Sequence, residues 1–130
     1  MNIHIIKVSL DSSGVLQCQP EKCEVFEDAM PTAILWHLDE ESLGDCEFID
    51  ILAIPSGLDF IDMPPPGRFE FKSIDRHRKH ILILNRHHAN EGINESQRYW
   101  GYKLRVKNKS NDIYETEDPT KGDHPIIINR

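Results

Sequence analysis

Apolar residues in this chain recur in short alternating runs divided by turn residues, and no stretch keeps them at helical spacing long enough for an ordinary helix. The clearest run is Tyr99–Val106, where Trp100, Tyr102, Leu104 and Val106 fall on one side and Lys103 and Arg105 on the other. Side chains alternate between the two faces of a strand, so this pattern predicts a strand with one face in a core. Phe69 and Phe71 alternate with Arg68, Glu70 and Lys72, again a half-buried strand. His80–Asn85 (HILILN) is a compact apolar run and reads as a core strand. Thr32–Leu38 (TAILWHL) is apolar on both faces, as in a central strand or a buried helical turn, and Cys46–Ala53 reads as a further strand.

Turn residues divide these runs. Asp11-Ser12-Ser13-Gly14 predicts a hairpin returning through Val15–Gln19, with Pro20 ending the strand. Ahead of it, the alternation of Ile3, Ile5, Ile6, Val8 and Leu10 slips at Ile5–Ile6, which reads as a bulge or a strand buried on both faces. Asp39–Gly44 reads as one helical turn or a loop. Residues 54–67, with Pro55, Gly57, Pro64-Pro65-Pro66 and Gly67, read as a long loop or a sheet-crossing connection. Residues 75–80 read as a charged hairpin turn and Arg86–Gln97 as an exposed loop. Lys107–Asp112 is a polar turn, so Ile113–Thr116 should return antiparallel. Ile126–Ile128 supplies a last short strand, placed to close a sheet edge or to pair with a second subunit. Together these predict seven to nine short strands in an all-β, antiparallel, two-sheet sandwich of the immunoglobulin-like kind. A chain of 130 residues suits one such domain, spanning 1–130.

Lys7 interrupts the apolar start, no cleavage site follows it, and no window is apolar for the length of a membrane span. Cys18, Cys23 and Cys46 are an odd number, read as reduced thiols in a cytoplasmic protein with no membrane partner. They do not sit where an immunoglobulin inter-sheet disulfide would need them, so that likeness is one of architecture.

The net charge of −7 is unevenly spread: residues 1–67 balance at −11, 68–109 at +7 and 110–130 at −3. Opposite signs can meet across neighbouring strands and cancel. The functional alternative is a basic face able to meet an anionic partner. Its densest part is Asp75-Arg76-His77-Arg78-Lys79-His80 followed by Arg86-His87-His88. We therefore single out Arg76, Arg78, Lys79, Arg86, His87 and His88 as the candidate anion-binding residues. Phe69, Phe71, Tyr99 and Trp100 are candidates for stacking bases, but the negative net charge and the absence of any nucleic-acid-binding signature argue against that ligand.

A metal reading would use His77, His80, His87 and His88, with imidazole nitrogens as ligands. Cys18-x4-Cys23 is looser than zinc-knuckle spacing and no second pair follows. The chain has no nucleophile elbow, no H-E-x-x-H and no phosphate-binding glycine loop, so no catalytic residue and no cofactor is assigned. Pro64-Pro65-Pro66-Gly67-Arg68 could serve as a polyproline ligand, though such a run more often stiffens a loop.

The last third of the chain, with Tyr99-Trp100-Gly101-Tyr102-Lys103-Leu104, Glu117-Asp118-Pro119 and Pro125-Ile126-Ile127-Ile128-Asn129, resembles the DP-EP family of small uncharacterised bacterial proteins. The resemblance implies a bacterial protein and carries no activity with it. The function expected from the residues is a non-catalytic binding or assembly module with a basic loop surface facing an anionic ligand or a protein partner, a second copy included. The alternative is a metal-dependent enzyme or metal-binding protein built on the His77–His88 cluster. Acid would add charge to that cluster and tighten anion binding.

Overall fold

A computed structural model describes residues 2–26, 32–49, 58–62, 71–85, 99–117 and 125–129, with the backbone alone at 58–62, 72–76 and 99. The chain opens with β1 (Asn2–Leu10), which turns into β2 (Leu16–Gln19) with Leu10 opposite Leu16 and Val8 opposite Cys18. The Asp11 carboxylate makes that turn, accepting from the backbone N–H of Ser13 at 2.8 Å and of Val15 at 3.0 Å. Gly14 takes a φ of +81°, a region that side chains with a Cβ seldom adopt.

After β3 (Lys22–Val25) come β4 (Thr32–Leu38), α1 (Glu40–Leu43) and β5 (Glu47–Phe48). The remaining strands are β6 (Leu58–Asp62), β7 (Phe71–Arg76), β8 (His80–Asn85), β9 (Tyr99–Lys107), β10 (Ile113–Glu115) and β11 (Ile126–Asn129). The first sheet runs β2-β1-β4-β8-β7. The second runs β10-β9-β11-β3, with β5 and β6 also paired to β9. Gly101 faces both Ile126 of β11 and Asp62 of β6, while Lys107 faces both Ile113 of β10 and Glu47 of β5. Strand β9 thus has neighbours along both of its edges and organises the second sheet. A parallel bridge between Leu16 and Thr116 ties the margins of the two sheets together.

The core forms where the inner faces meet. Ile6, Val8, Ile34, Trp36, Leu38, Ile81 and Ile83 of the first sheet pack with Cys23, Val25, Trp100, Tyr102, Leu104, Val106 and Ile127 of the second. Trp36 meets Tyr102 edge to face at 5.1 Å, and Phe71 meets Trp100 in the same manner at 5.3 Å. Offset and edge-on geometries are the favoured ones for aromatic pairs. Among the described residues no helix is long and apolar enough to cross a membrane.

The all-β, two-sheet sandwich is therefore present, with several differences from expectation. Both sheets are mixed: β1 runs parallel to β4 from Asn2 opposite Thr32 to Val8 opposite Leu38, and β3 runs parallel to β11. Parallel neighbours need a long crossover, and between β1 and β4 the chain passes through β3 of the other sheet. The likeness to immunoglobulin domains, whose sheets are antiparallel, stays at the level of two packed sheets. Eleven strands are present among the described residues rather than seven to nine. No bulge occurs at Ile5–Ile6: Ile6 and Val8 point into the core, while Ile3 and Ile5 stay 52% and 58% exposed on the outer face of one regular strand. Strand β6 lies inside the stretch read as a loop, and β11 sits between β9 and β3, so both of its edges are used.

Candidate functional site

The candidate site is an open cleft of about 420 Å³ at one end of the sandwich, where three chain segments meet. The first is the corner after α1. Asp39 caps this short helix, accepting from the Ser42 backbone N–H at 3.2 Å and from its hydroxyl at 2.9 Å. The hydroxyl in turn accepts from the Leu10 N–H at 3.1 Å, which joins the helix to β1. The Ser42 bonds, with Lys7 adding less from 3.7 Å, hold the Asp39 carboxyl below its ordinary value of 3.8. Gly44 closes the helix so tightly that a Cβ there would stand 2.6 Å from the Glu40 carbonyl oxygen. Asp45, Cys46 and Glu47 follow on the cleft wall.

The second segment is the β7–β8 turn. His77 N–H donates to His80 O at 2.9 Å and Lys79 N–H donates to His77 Nδ1 at 3.2 Å, leaving Arg78 at the tip. The turn is moored from both sides, Phe48 N–H donating to Arg78 O at 2.9 Å and Leu38 N–H to Lys79 O at 3.0 Å. The Lys79 ammonium reaches across to donate to Gly44 O at 2.7 Å and Cys46 O at 2.6 Å. Lys79 is thus first a clamp on the α1–β5 corner, with one of its three N–H bonds left for a ligand.

The third segment is the end of β9 and the turn beyond it, which bring Lys107, Asn108, Lys109 and Asn111. The Asn108 side-chain oxygen accepts from the N–H groups of Ser110 and Asp112, both at 2.9 Å, and Asn111 takes a φ of 65°. Asparagine tolerates this left-handed region better than most residues, which lets the turn present Lys109 outward.

Arg78, Lys79, Lys107 and Lys109 face Asp45 and Glu47 in the lining, an excess of two positive charges. Glu47 bridges Arg78 Nε at 3.8 Å and Lys107 Nζ at 3.6 Å. Outside the cleft, Lys103 and Arg105 on β9 share Glu115 on β10. Among the described residues, the cleft gathers four of the cations of the basic block.

Of the six predicted anion ligands, Arg78 and Lys79 line the cleft. Arg76 belongs to β7, opposite Ile81, rather than to the turn, because β7 continues to the residue before His77. Arg86, His87 and His88 lie outside the described residues, as do Pro64-Pro65-Pro66-Gly67-Arg68. Lys107, Lys109 and Glu47 were not singled out, since nothing local in the sequence joins the Lys107–Asp112 turn to the tip at Arg78.

The predicted metal ligands His77 and His80 stack with ring centroids 4.9 Å apart. His77 Nδ1 is occupied by the Lys79 N–H, which leaves Nε2 for any other partner. Among the described residues no group of three His, Cys, Asp or Glu side chains is arranged to hold a metal ion. Of the aromatics considered for base stacking, Trp100 is fully buried and packs against the half-buried Phe71, while Phe69 and the Tyr99 side chain lie outside the described residues. Cys18, Cys23 and Cys46 are free thiols. No protein-family model matches the chain, and no curated protein or solved structure is significantly similar to it.

Proposed function

We propose that the protein is a non-catalytic binding module that holds an anionic ligand in the cleft between the α1–β5 corner, the β7–β8 turn and the β9–β10 turn. One observation carries this reading: four cationic side chains from segments far apart in the chain converge on one concavity. Arg78, 81% exposed in its side chain, offers a guanidinium fork, while Lys107 and Lys109 add point charges from the opposite wall. The three free thiols favour a cytoplasmic setting. The resemblance to the DP-EP family is compatible with this reading and adds no activity to it.

The test is a titration of the full chain with inorganic phosphate at low ionic strength, followed by amide chemical shifts. The expected result is movement confined to residues 44–47, 78–79 and 107–111. The shifts should weaken as salt rises and weaken again in Arg78→Gln and Lys109→Gln. No movement, or movement elsewhere, overturns the reading. Stoichiometric zinc, iron or nickel in protein purified without tag or chelator would instead favour the histidine-based alternative.

A further inference from the structure

Glu47 occupies the position that an incoming anion would take. Each of its carboxylate oxygens is turned to a different cation, Oε2 to Arg78 and Oε1 to Lys107. Those cations come from the β7–β8 turn and from the end of β9, and both are pinned to β5. Glu47 lies opposite Lys107 in the sheet register, and Phe48 N–H holds Arg78 O at 2.9 Å. The chain therefore presents its own carboxylate to the cation pair. A tethered group of this kind competes as an intramolecular ligand.

We infer that Glu47 is a built-in competitor that sets a charge threshold for the cleft, admitting small multivalent phosphoryl anions and turning away monoanionic carboxylates. This rests on the cleft being an anion site. Exchanging one single negative charge for another gains nothing electrostatically at Arg78 and Lys107. The free ligand also loses translational and rotational freedom that the tethered carboxylate does not lose. A phosphoryl group carries about −1.5 to −2 charges near neutral pH and presents three acceptor oxygens. It can engage the Arg78 fork and Lys107 together. Lys109, which has no ion pair among the described residues, adds a third cation on the same wall. A diphosphate adds further charge and reach, so it should displace Glu47 most readily.

The experiment compares three full-length proteins, wild type, Glu47→Gln and Glu115→Gln, each titrated with pyrophosphate, phosphate and acetate at fixed ionic strength and followed by amide shifts. Glu47→Gln keeps the side-chain shape at a position 37% exposed. Glu115→Gln makes the same change in net charge but removes an ion pair from each of Lys103 and Arg105, which lie outside the cleft lining. In wild type, pyrophosphate should bind more tightly than phosphate, and acetate should not bind. Glu47→Gln should bind pyrophosphate about tenfold more tightly, the scale of two partly exposed ion pairs released, and should begin to bind acetate. Glu115→Gln should match wild type. Unchanged affinity and preference in Glu47→Gln, or an equal gain in Glu115→Gln, overturns the competitor role while anion binding stands. Silent cleft amides with pyrophosphate in all three folded proteins overturn the anion reading itself.

Discussion

Asn85 and Asn129 hold each other's amides across the interior of the sandwich, Asn85 Nδ2 donating to Asn129 Oδ1 at 2.7 Å and Asn129 Nδ2 donating back to Asn85 Oδ1 at 3.0 Å. They end β8 in one sheet and β11 in the other, and both are buried. Apolar packing between two sheets is non-directional. A reciprocal amide pair is directional, so it fixes how one sheet slides on the other. Asn85→Ala or Asn129→Ala removes both bonds of this buried pair and should cost about 1–3 kcal/mol. The double alanine variant should cost less than the two single costs added, because either single change already breaks both bonds of the pair. Urea unfolding of the four proteins measures this. Strict additivity would mean that the pair is not a unit.

Lys79 and Arg78 are neighbours with separable roles. Lys79 donates to the carbonyls of Gly44 and Cys46, whereas Arg78 is largely exposed and meets Glu47 only at 3.8 Å. Lys79→Met should therefore lower stability by about 1–2 kcal/mol, toward the low end for hydrogen bonds to a charged group that is partly exposed. Arg78→Met should cost less than about 0.5 kcal/mol and should act instead on anion affinity. Chemical denaturation with phosphate titration reads both effects. Equal destabilisation by the two variants would contradict the clamp.

The pattern of strands was legible where local chemistry decided it. Asp11 and Gly14 make their turn with their own backbone and side-chain bonds, and the inward set Trp100, Tyr102, Leu104 and Val106 is fully buried as its alternation demands. Thr32–Leu38, apolar on both faces, takes the middle place in its sheet. Pairing decided elsewhere in the fold was not legible. The parallel register of β1 on β4 depends on the chain changing sheets between them. Ile3 and Ile5 mimic a slip because apolar side chains also occur on outer faces. The cleft was half legible for the same reason. Arg78 and Lys79 stand out in a dense run, but Lys107 and Lys109 reach them only because β5 lies between the turn at Arg78 and the end of β9.

Asp39 makes stability depend on acid. Its carboxyl sits below the ordinary 3.8, chiefly through the Ser42 side-chain bond. A group depressed in the folded state stabilises it fully above the unfolded value and loses that effect as pH falls through the folded one. Asp39→Asn keeps an acceptor suited to capping and removes the charge. The stability gap between wild type and Asp39→Asn should be full well above the ordinary 3.8 and shrink as pH falls below it. Urea midpoints on both sides of that value check it. A gap independent of pH would show that the charge contributes nothing.

The thiols should be slow. Burial pushes Cys18 up to about 12 and Cys23 and Cys46 up to about 11, from an ordinary 9.0. The thiolate is the reactive form. At pH 8 a rise of two units lowers its population about a hundredfold. Alkylation of the native protein should thus run about a hundredfold or more slower than of the chain in urea. Mass spectrometry of time points resolves the three sites. Rapid native labelling of any one of them would remove it from the buried set.

Tyr102 carries the last expectation. Its ring packs edge-on against Trp36, and its buried hydroxyl, with Trp36 and Cys18 as polar neighbours, makes no hydrogen bond of good geometry among the described residues. Burial, more than the nearby Cys18, holds that hydroxyl well above its ordinary 10.0. A group raised in this way contributes stability that is whole below the unfolded value and lost as pH climbs through the folded one. Tyr102→Phe keeps the ring and removes the hydroxyl, whose burial costs roughly 1–3 kcal/mol when nothing compensates it. The variant should be as stable as wild type or more so at pH 7, and it should lose less stability between pH 9 and pH 11. Thermal melts across that range compare the two. Clear destabilisation of Tyr102→Phe at pH 7 would mean that the hydroxyl finds a partner in solution.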